Sequence, residues 1–287
     1  MKKIFKALAA VLIIVFGLLV FLFGFLQSDG GRTLLARTLS ATLSDGPDNR
    51  VSITGIAGTF PVNFQVESIT VAARRGEWLE IAGLRVKISL PALLRRRLEL
   101  EDLAARSLTL NRLPPSGPEN GRQASSGFRL PASWPRFAIR RLSLPRLELG
   151  EDVIGEEAHL VVSGRFLCGP VSGLDMDLSA GRIDRNPGVA SLRMKLAPGY
   201  DRFDLDASVR EGRESLLTEL ISPGATGPFT FSARGEGPIP GWSGQIRFDS
   251  PDLGQARGEL KITGSAARPE MIADVSLSDC SVRGFSV

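Results

Sequence analysis

The stretch RLSLPRLELG, residues 141–150, places leucine at Leu142 and Leu144, skips over Pro145–Arg146, and resumes at Leu147 and Leu149. A period of two marks an extended strand with one apolar face. One extra residue at Pro145–Arg146, accommodated as a β-bulge, returns the second leucine pair to that face. The same alternation recurs from Val51 onward, in VSITGI, VESITVAA, WLEIAGLRVKISL, SLTLNRL, AHLVVSG, LDMDLSAG, SLRMKLA, RFDLDASVR, FTFSARG, GQIRFDS, GELKITG and IADVSLSD. Most of these segments end at Gly, Pro, Asn, Asp or Ser, the pattern of antiparallel strands joined by turns, and about fourteen strands are expected. Arg193 and Lys195 alternate with Leu192, Met194 and Leu196, so only one face of each strand leaves water.

Three stretches interrupt the alternation. SLPALLRRR puts Pro91 near a helix start and Arg95, Arg96 and Arg97 at its carboxyl end, predicting a short helix near 91–97. ESLLTELISPG predicts a second one, closed by Pro223–Gly224. Between them, residues 113–136 are rich in Pro, Gly and Ser without periodicity, which predicts a loop or linker and the natural boundary of the chain.

Ahead of the strands, DGGRTLLARTLSATLSDG spaces Leu35, Leu39 and Leu43 for one helix face, with Arg37 opposite and Asp45–Gly46 as a stop. Such an amphipathic helix either packs its leucines on the end of the fold or lies on a membrane surface, and the packing reading is taken first. Earlier still, residues 7–26, ALAAVLIIVFGLLVFLFGFL, carry no charge and match the length of a bilayer core. The run is longer than a signal-peptide core, and its one Ala-x-Ala precedes its bulk, so an uncleaved anchor is expected. Lys2, Lys3 and Lys6 in front of it hold the amino terminus in the cytoplasm and send the rest across. The layout is therefore 1–27 cytoplasmic tip and transmembrane anchor, 28–50 amphipathic helix and turn, 51–112 first β segment, 113–136 loop, and 137–287 continuing sheet.

Composition narrows the functional classes. With 287 residues, 43% hydrophobic and 23% charged, the chain folds, and 31 Gly and 18 Pro favour many short elements. The net charge of +4 rests on the leader: without its three lysines, 32 basic residues face 31 acidic ones, which leaves no basic footprint for nucleic acid. Cys168 and Cys280 form no C-x-x-C pair; a single bridge and two unpaired thiols are both compatible with their spacing. The exported part has one histidine, His159, on the polar or edge phase of a strand, and there is no G-x-S-x-G elbow, P-loop, G-x-G-x-x-G or H-E-x-x-H. Glu156 and Glu157 are adjacent, so in a strand they point to opposite faces. No catalytic residue, metal ligand or cofactor site emerges, and the chain reads as a non-enzyme.

Two architectures satisfy a series of one-faced strands: a sandwich or barrel whose apolar faces cover one another, or a long curved sheet whose apolar face stays open. Periodicity does not separate them. The scarcity of aromatic plugs favours the open form, since Tyr200 is the only tyrosine and Trp78, Trp134 and Trp242 are widely spread.

The region 31–115 resembles the start of the TamB family of the AsmA-like group. The matching pieces are the anchor with its helix, Gly55-Ile56-Ala57-Gly58-Thr59-Phe60-Pro61, GEWLEI, LPALLRRRLELEDL and the Pro-rich loop leading into RLSLPRLELG; LLTELISPG and ARGEGPIPGWSGQIRFDS continue the likeness. The resemblance implies a mainly β fold: an elongated, curved antiparallel sheet, β-taco-like, with an open hydrophobic groove, behind a transmembrane helix and a short amphipathic helix. It also implies a Gram-negative inner-membrane location, single-pass, with the bulk in the periplasm, and phospholipid transport between inner and outer membranes. The alternative it leaves open is a scaffold or chaperone for outer-membrane protein assembly with an outer-membrane barrel, TamA. Family members are longer and meet that barrel through a carboxy-terminal domain. This chain is thus expected to be an amino-terminal part, its strands reaching only about 60 Å at about 4.8 Å each. The expected groove lining is Leu142, Leu144, Leu147, Leu149, Leu192, Met194, Leu196, Phe203, Leu205, Phe229, Phe231, Ile246, Phe248, Leu260 and Ile262.

Overall fold

In a computed structural model of the chain, the alternating segments form one curved sheet of fourteen strands. The structure describes residues 28–44, 50–74, 76–113, 136–184, 188–199, 201–212, 227–239, 241–252, 254–265, 268–278, 281–282 and 285–286. The strands are β1 (Arg50–Thr59), β2 (Asn63–Ala73), β3 (Gly76–Ile88), β4 (Leu98–Ala104), β5 (Ser107–Leu110), β6 (Phe137–Leu149), β7 (Ala158–Gly169), β8 (Gly173–Arg182), β9 (Gly188–Leu196), β10 (Arg202–Glu211), β11 (Phe229–Pro238), β12 (Trp242–Ser250), β13 (Gly254–Ser265) and β14 (Arg268–Ser278). A separate two-stranded sheet joins β15 (Ser281–Val282) to β16 (Phe285–Ser286). Three helices accompany them: α1 (Asp29–Leu43), α2 (Leu90–Leu94) and α3 (Glu151–Ile154). The expected transmembrane stretch and the helix expected at ESLLTELISPG lie outside the described residues. Among those described, no helix is long and apolar enough to cross a membrane.

The sheet is mixed, not wholly antiparallel as expected. β4 and β5 behave as one strand broken at Ala105–Arg106, both antiparallel to β3 and both parallel to β6. The reason is the connection: β6 starts with Phe137 opposite Leu98, at the end where β4 began, and only a crossover of a dozen or more residues permits that. Residues 113–136 therefore join two stretches of a continuous sheet. The bulge expected in β6 is present. Leu144 stands opposite Val162 and Leu147 opposite Leu160, which leaves Pro145 and Arg146 against Val161 alone. A second bulge sets Arg140 and Arg141 against Arg165. There the extra side chains meet acids on β4, Arg140 pairing with Glu99 and Arg141 with Asp102 at 3.6 Å.

Helix α1 covers the outer edge of β1. Its amino end is capped by Ser28, whose hydroxyl accepts from Gly31 N–H at 3.2 Å. Ile53 N–H donates to Ser40 Oγ at 3.0 Å, Val51 N–H to Ser44 Oγ at 2.9 Å, and Arg32 Nη2 donates to the Gly58 carbonyl at 3.0 Å. Side chains thus take the place of the strand that β1 lacks on that side. This corrects the expected packing of the leucine stripe: Gly31, Ala36 and Ser40 face the strand, Leu35 is half-buried, and Leu39 and Leu43 stay exposed. Hydroxyls win because the partner is a row of backbone amides, which an apolar side chain would leave unsatisfied.

Replacing Ser40 with Ala removes the acceptor of the Ile53 amide. A loss of about 1 kcal/mol in urea unfolding is expected, together with faster hydrogen exchange at Ile53 and unchanged exchange at Ile246 on the distant β12.

Candidate functional site: one apolar face

Directly opposed residues in a sheet share a face, so the register decides which side chains lie together. One row runs Gly58, Phe64, Val86, Leu103, Leu142, Gly164, Leu178, Leu192, Ala207, Ala233, Ile246 and Gly258, one position per strand from β1 to β13 with the short β5 bypassed. Each member is apolar or glycine. Eleven strand spacings carry this row across about 50 Å. A parallel row runs Ile139, Phe166, Met176, Met194, Leu205, Gly235, Gly244 and Leu260, and another runs Leu144, Val162, Ala180, Ala190, Val209, Phe231, Phe248 and Ala256. Glycine and alanine recur along these rows, and larger neighbours lie over several of the glycines: Leu178 over Gly164, and Trp242 over Gly235 and Gly244.

All fifteen residues expected to line a groove fall on this face. Leu196, Phe229 and Ile262 are buried and the other twelve are half-buried. The three buried ones belong to closed clusters. Leu196 and Ile262 pack with Ile239 and Trp242, with Phe203, Leu205, Leu174 and Leu260 around them. Trp242 is 1% exposed and its ring lies over Gly235 and Gly244, reaching Phe203 on β10 at 5.1 Å between ring centroids. Its indole N–H has no acceptor among the described residues. The expectation that tryptophans are too scattered to plug the face is therefore corrected at Trp242. At the opposite end of the same strands, Phe229 stacks obliquely on Phe248 at 5.8 Å. The face is dry at these two margins and more accessible between them. Among the described residues, no other sheet than the two-stranded β15–β16 exists to cover it.

A charge also sits on the apolar phase. Arg182 ends β8 opposite Leu160 and is 7% exposed. Its guanidinium donates to both carboxylate oxygens of Asp184, at 2.7 and 3.1 Å, and to Glu156 at 3.2 Å. The Asp184 hydrogen bonds, with the added field of Glu156, hold its pKa above the ordinary arginine value against the opposing effect of burial. Cys168, between Phe137 and Leu174 in register, is a free, half-buried thiol whose pKa burial pushes up, so it is neutral at pH 7. Cys280 lies outside the described residues.

The other face is polar and organised. Ser143, Ser163, Ser179, Ser191, Ser208 and Ser232 form one row across β6 to β11, with hydroxyl contacts at 2.9 Å between Ser163 and Ser179 and 2.8 Å between Ser191 and Ser208. Beside it, Arg165, Asp177, Arg193, Asp206 and Arg234 alternate in sign. Asp177 lies 3.4 Å from Arg193, and Asp206 lies 3.1 Å from Arg234. A recess of about 970 Å³ on this face is lined by Arg193, Asp206, Arg234, Gln245, Arg257 and Glu259. His159 stands opposite Glu148 on the polar phase. Among the described residues, no group of three or more His, Cys, Asp or Glu is placed to hold a metal.

No protein-family model, curated protein or solved structure matches this chain. The apolar face therefore has to be interpreted from its own chemistry.

A methyl at Gly235 would collide with Trp242 Cζ2. Gly235→Ala is expected to lift the indole from its seat and destabilise the fold by about 2 kcal/mol, seen as a lower urea midpoint with an unchanged m-value and a red-shifted tryptophan emission.

Proposed function

We propose that this protein is a membrane-anchored carrier of phospholipid acyl chains in the periplasm, a TamB-like member of the AsmA-like group. A lipid leaves the inner membrane near the anchor, its tails lie on the apolar face, and its head group stays in water on its way to the outer membrane. The observation that supports this reading is the unbroken apolar row from β1 to β13, half-buried over most of its length and uncovered by a second sheet among the described residues. A contiguous apolar face of this length without a covering layer is uncommon on a soluble monomer and marks a binding surface.

The chemistry suits tails better than a rigid ligand. Each methylene taken out of water contributes about 0.8 kcal/mol, so a tail needs continuity of apolar surface more than directed bonds. Small residues such as Ala207 and Gly258 stand among larger ones along the row, an uneven floor that suits a flexible chain. No fuel-binding motif accompanies the face, so direction comes from a partner or from the lipid gradient.

A second reading is a scaffold for outer-membrane protein assembly, working with an outer-membrane barrel of the TamA kind. It draws on the unequal edges: α1 covers β1, whereas β14 has β13 as its only strand partner among the described residues. A strand edge is a template for another chain.

Photo-crosslinking side chains at Leu144 and Met194, with Arg193 and Lys195 as controls on the opposite face, separate the two. Phospholipid adducts at Leu144 and Met194 and none at the controls are expected. Protein adducts at the apolar pair would transfer support to the scaffold reading, and an absence of lipid there would overturn the carrier reading.

A further inference from the structure

We propose that the turn Leu90–Arg97 docks on the surface of an anionic phospholipid bilayer, seating the first strands of the sheet against the membrane from which lipid is drawn. It rests on the reading of residues 7–26 as a membrane span, and it extends the carrier proposal by giving the sheet a second membrane contact.

The turn is built to expose apolar surface. Of α2, only Ala92 is buried, while Leu90, Leu93 and Leu94 are 48%, 38% and 78% exposed. Arg95, Arg96 and Arg97 follow directly, all exposed, and none has an ion-pair partner among the described residues. On the polar face Arg193 is matched to Asp177 and Arg234 to Asp206, while Arg210, Arg247 and Arg257 stand singly among the described residues; what sets Arg95, Arg96 and Arg97 apart is that three cations are consecutive and adjoin exposed leucines. The backbone holds the cluster in place: Arg97 N–H donates to the Ala92 carbonyl at 2.9 Å, closing the chain around Arg96 at φ 56. Three exposed leucines beside three unpaired cations fit an interface with apolar tails below and anionic head groups above.

Position supports the same occupant. Arg32, one turn into α1, donates to the Gly58 carbonyl at the end of β1. The adjoining β1–β2 turn accepts Ile88 N–H on the Val62 carbonyl at 2.6 Å, and Leu90 begins two residues later. Gly58, beside the first turn of α1, and the leucine–arginine turn thus lie at the same end of β1 to β3, about two strand spacings, about 10 Å, apart. A span there brings the bilayer surface within reach of Leu94.

The test uses the full chain carrying Cys168→Ser and Cys280→Ser, with one cysteine placed at Leu94, at Leu19 within the apolar run, or at Val189. Val189 is 60% exposed at the opposite end of the sheet. Each is labelled with a polarity-sensitive dye and reconstituted into vesicles of phosphatidylcholine with or without phosphatidylglycerol, carrying a spin-labelled quencher lipid. The Leu94 dye is expected to shift to the blue and be quenched in phosphatidylglycerol vesicles, while the Val189 dye stays in water. Arg95→Gln, Arg96→Gln and Arg97→Gln together should lower the docked-to-free ratio on the order of 100-fold. A Leu94 dye in water beside a quenched Leu19 dye overturns the proposal. A blue shift without lipid quenching overturns it in favour of a protein partner. A Leu19 dye that escapes quenching overturns the span reading and this proposal with it. Crosslinking at Met194 reads the carrier proposal separately, so either can fall while the other stands.

Discussion

The structure depends on strand register more than on any single contact. Side chains alternate between faces with a period of two, so a slip of one residue in any pairing would carry that strand's leucines to the polar side and its arginines to the apolar side. In a sandwich, a facing layer penalises such a slip. Here among the described residues no such layer exists, and both faces of the sheet share the task. On one side, apolar residues oppose apolar residues strand after strand, as Phe64, Val86 and Leu103 do. On the other, Arg165, Asp177, Arg193, Asp206 and Arg234 alternate in sign. A one-residue slip would oppose a charge to a leucine; a two-residue slip would set Asp175 beside Arg193 and lose pairings at the turns. Single exposed ion pairs contribute little. Their value here is as a repeated mark of correct alignment.

A sheet built in this way must also manage its margins. The β1 edge is covered by α1 through the hydroxyls of Ser40 and Ser44. The ends of strands β9 to β13 are dried by Trp242 with Phe203 on one side and Phe229 with Phe248 on the other. Where a charge does fall on the apolar phase, at Arg182, two carboxylates enclose it. Aromatic packing is concentrated at these borders, while Val66, Val86 and Ala233 are buried within the face itself.

Much of this was legible in the sequence. Strand positions, the bulge at Pro145–Arg146 and the shared face of the fifteen apolar residues follow from alternation alone, because the period of a strand fixes its faces before any partner is known. The parallel pairing of β4 and β5 with β6 was not legible: it depends on where residues 113–136 deliver the chain, and a loop without periodicity carries no such signal. Helix α1 was recognised, but its packing face was misassigned, since leucine spacing reveals an apolar stripe and not the unpaired amides of β1 that outbid it. The packing of Trp242 is hidden in the sequence because its seat over Gly235 and Gly244 and its neighbours Leu196, Phe203 and Ile262 come from separate strands. A sign pattern was available and unused: Asp175 and Asp177, then Arg193 and Lys195, then Asp204 and Asp206 alternate strand by strand, and that alone predicts β8, β9 and β10 as neighbours in order.

The half-burial of the apolar face bears on its purpose. A surface that only awaited a second protein layer would gain from bulky side chains at its centre, where interface cores are most densely packed. This face instead mixes large and small side chains along its length, with Gly164, Ala207 and Ala233 standing among Leu142, Leu178, Leu192 and Ile246. Small residues shorten the reach of the wall and leave room for something that lies along it, crossing strand after strand. A peptide strand would satisfy its amides at an edge and gains nothing from a floor of alanines inside the sheet. A hydrocarbon chain has no amides to satisfy, conforms to an uneven floor, and loses nothing as it passes from Leu142 to Gly164 to Leu178. The mixture of large and small residues along an uncovered apolar row is the physical basis of the proposed preference for a mobile apolar chain over a fixed protein partner.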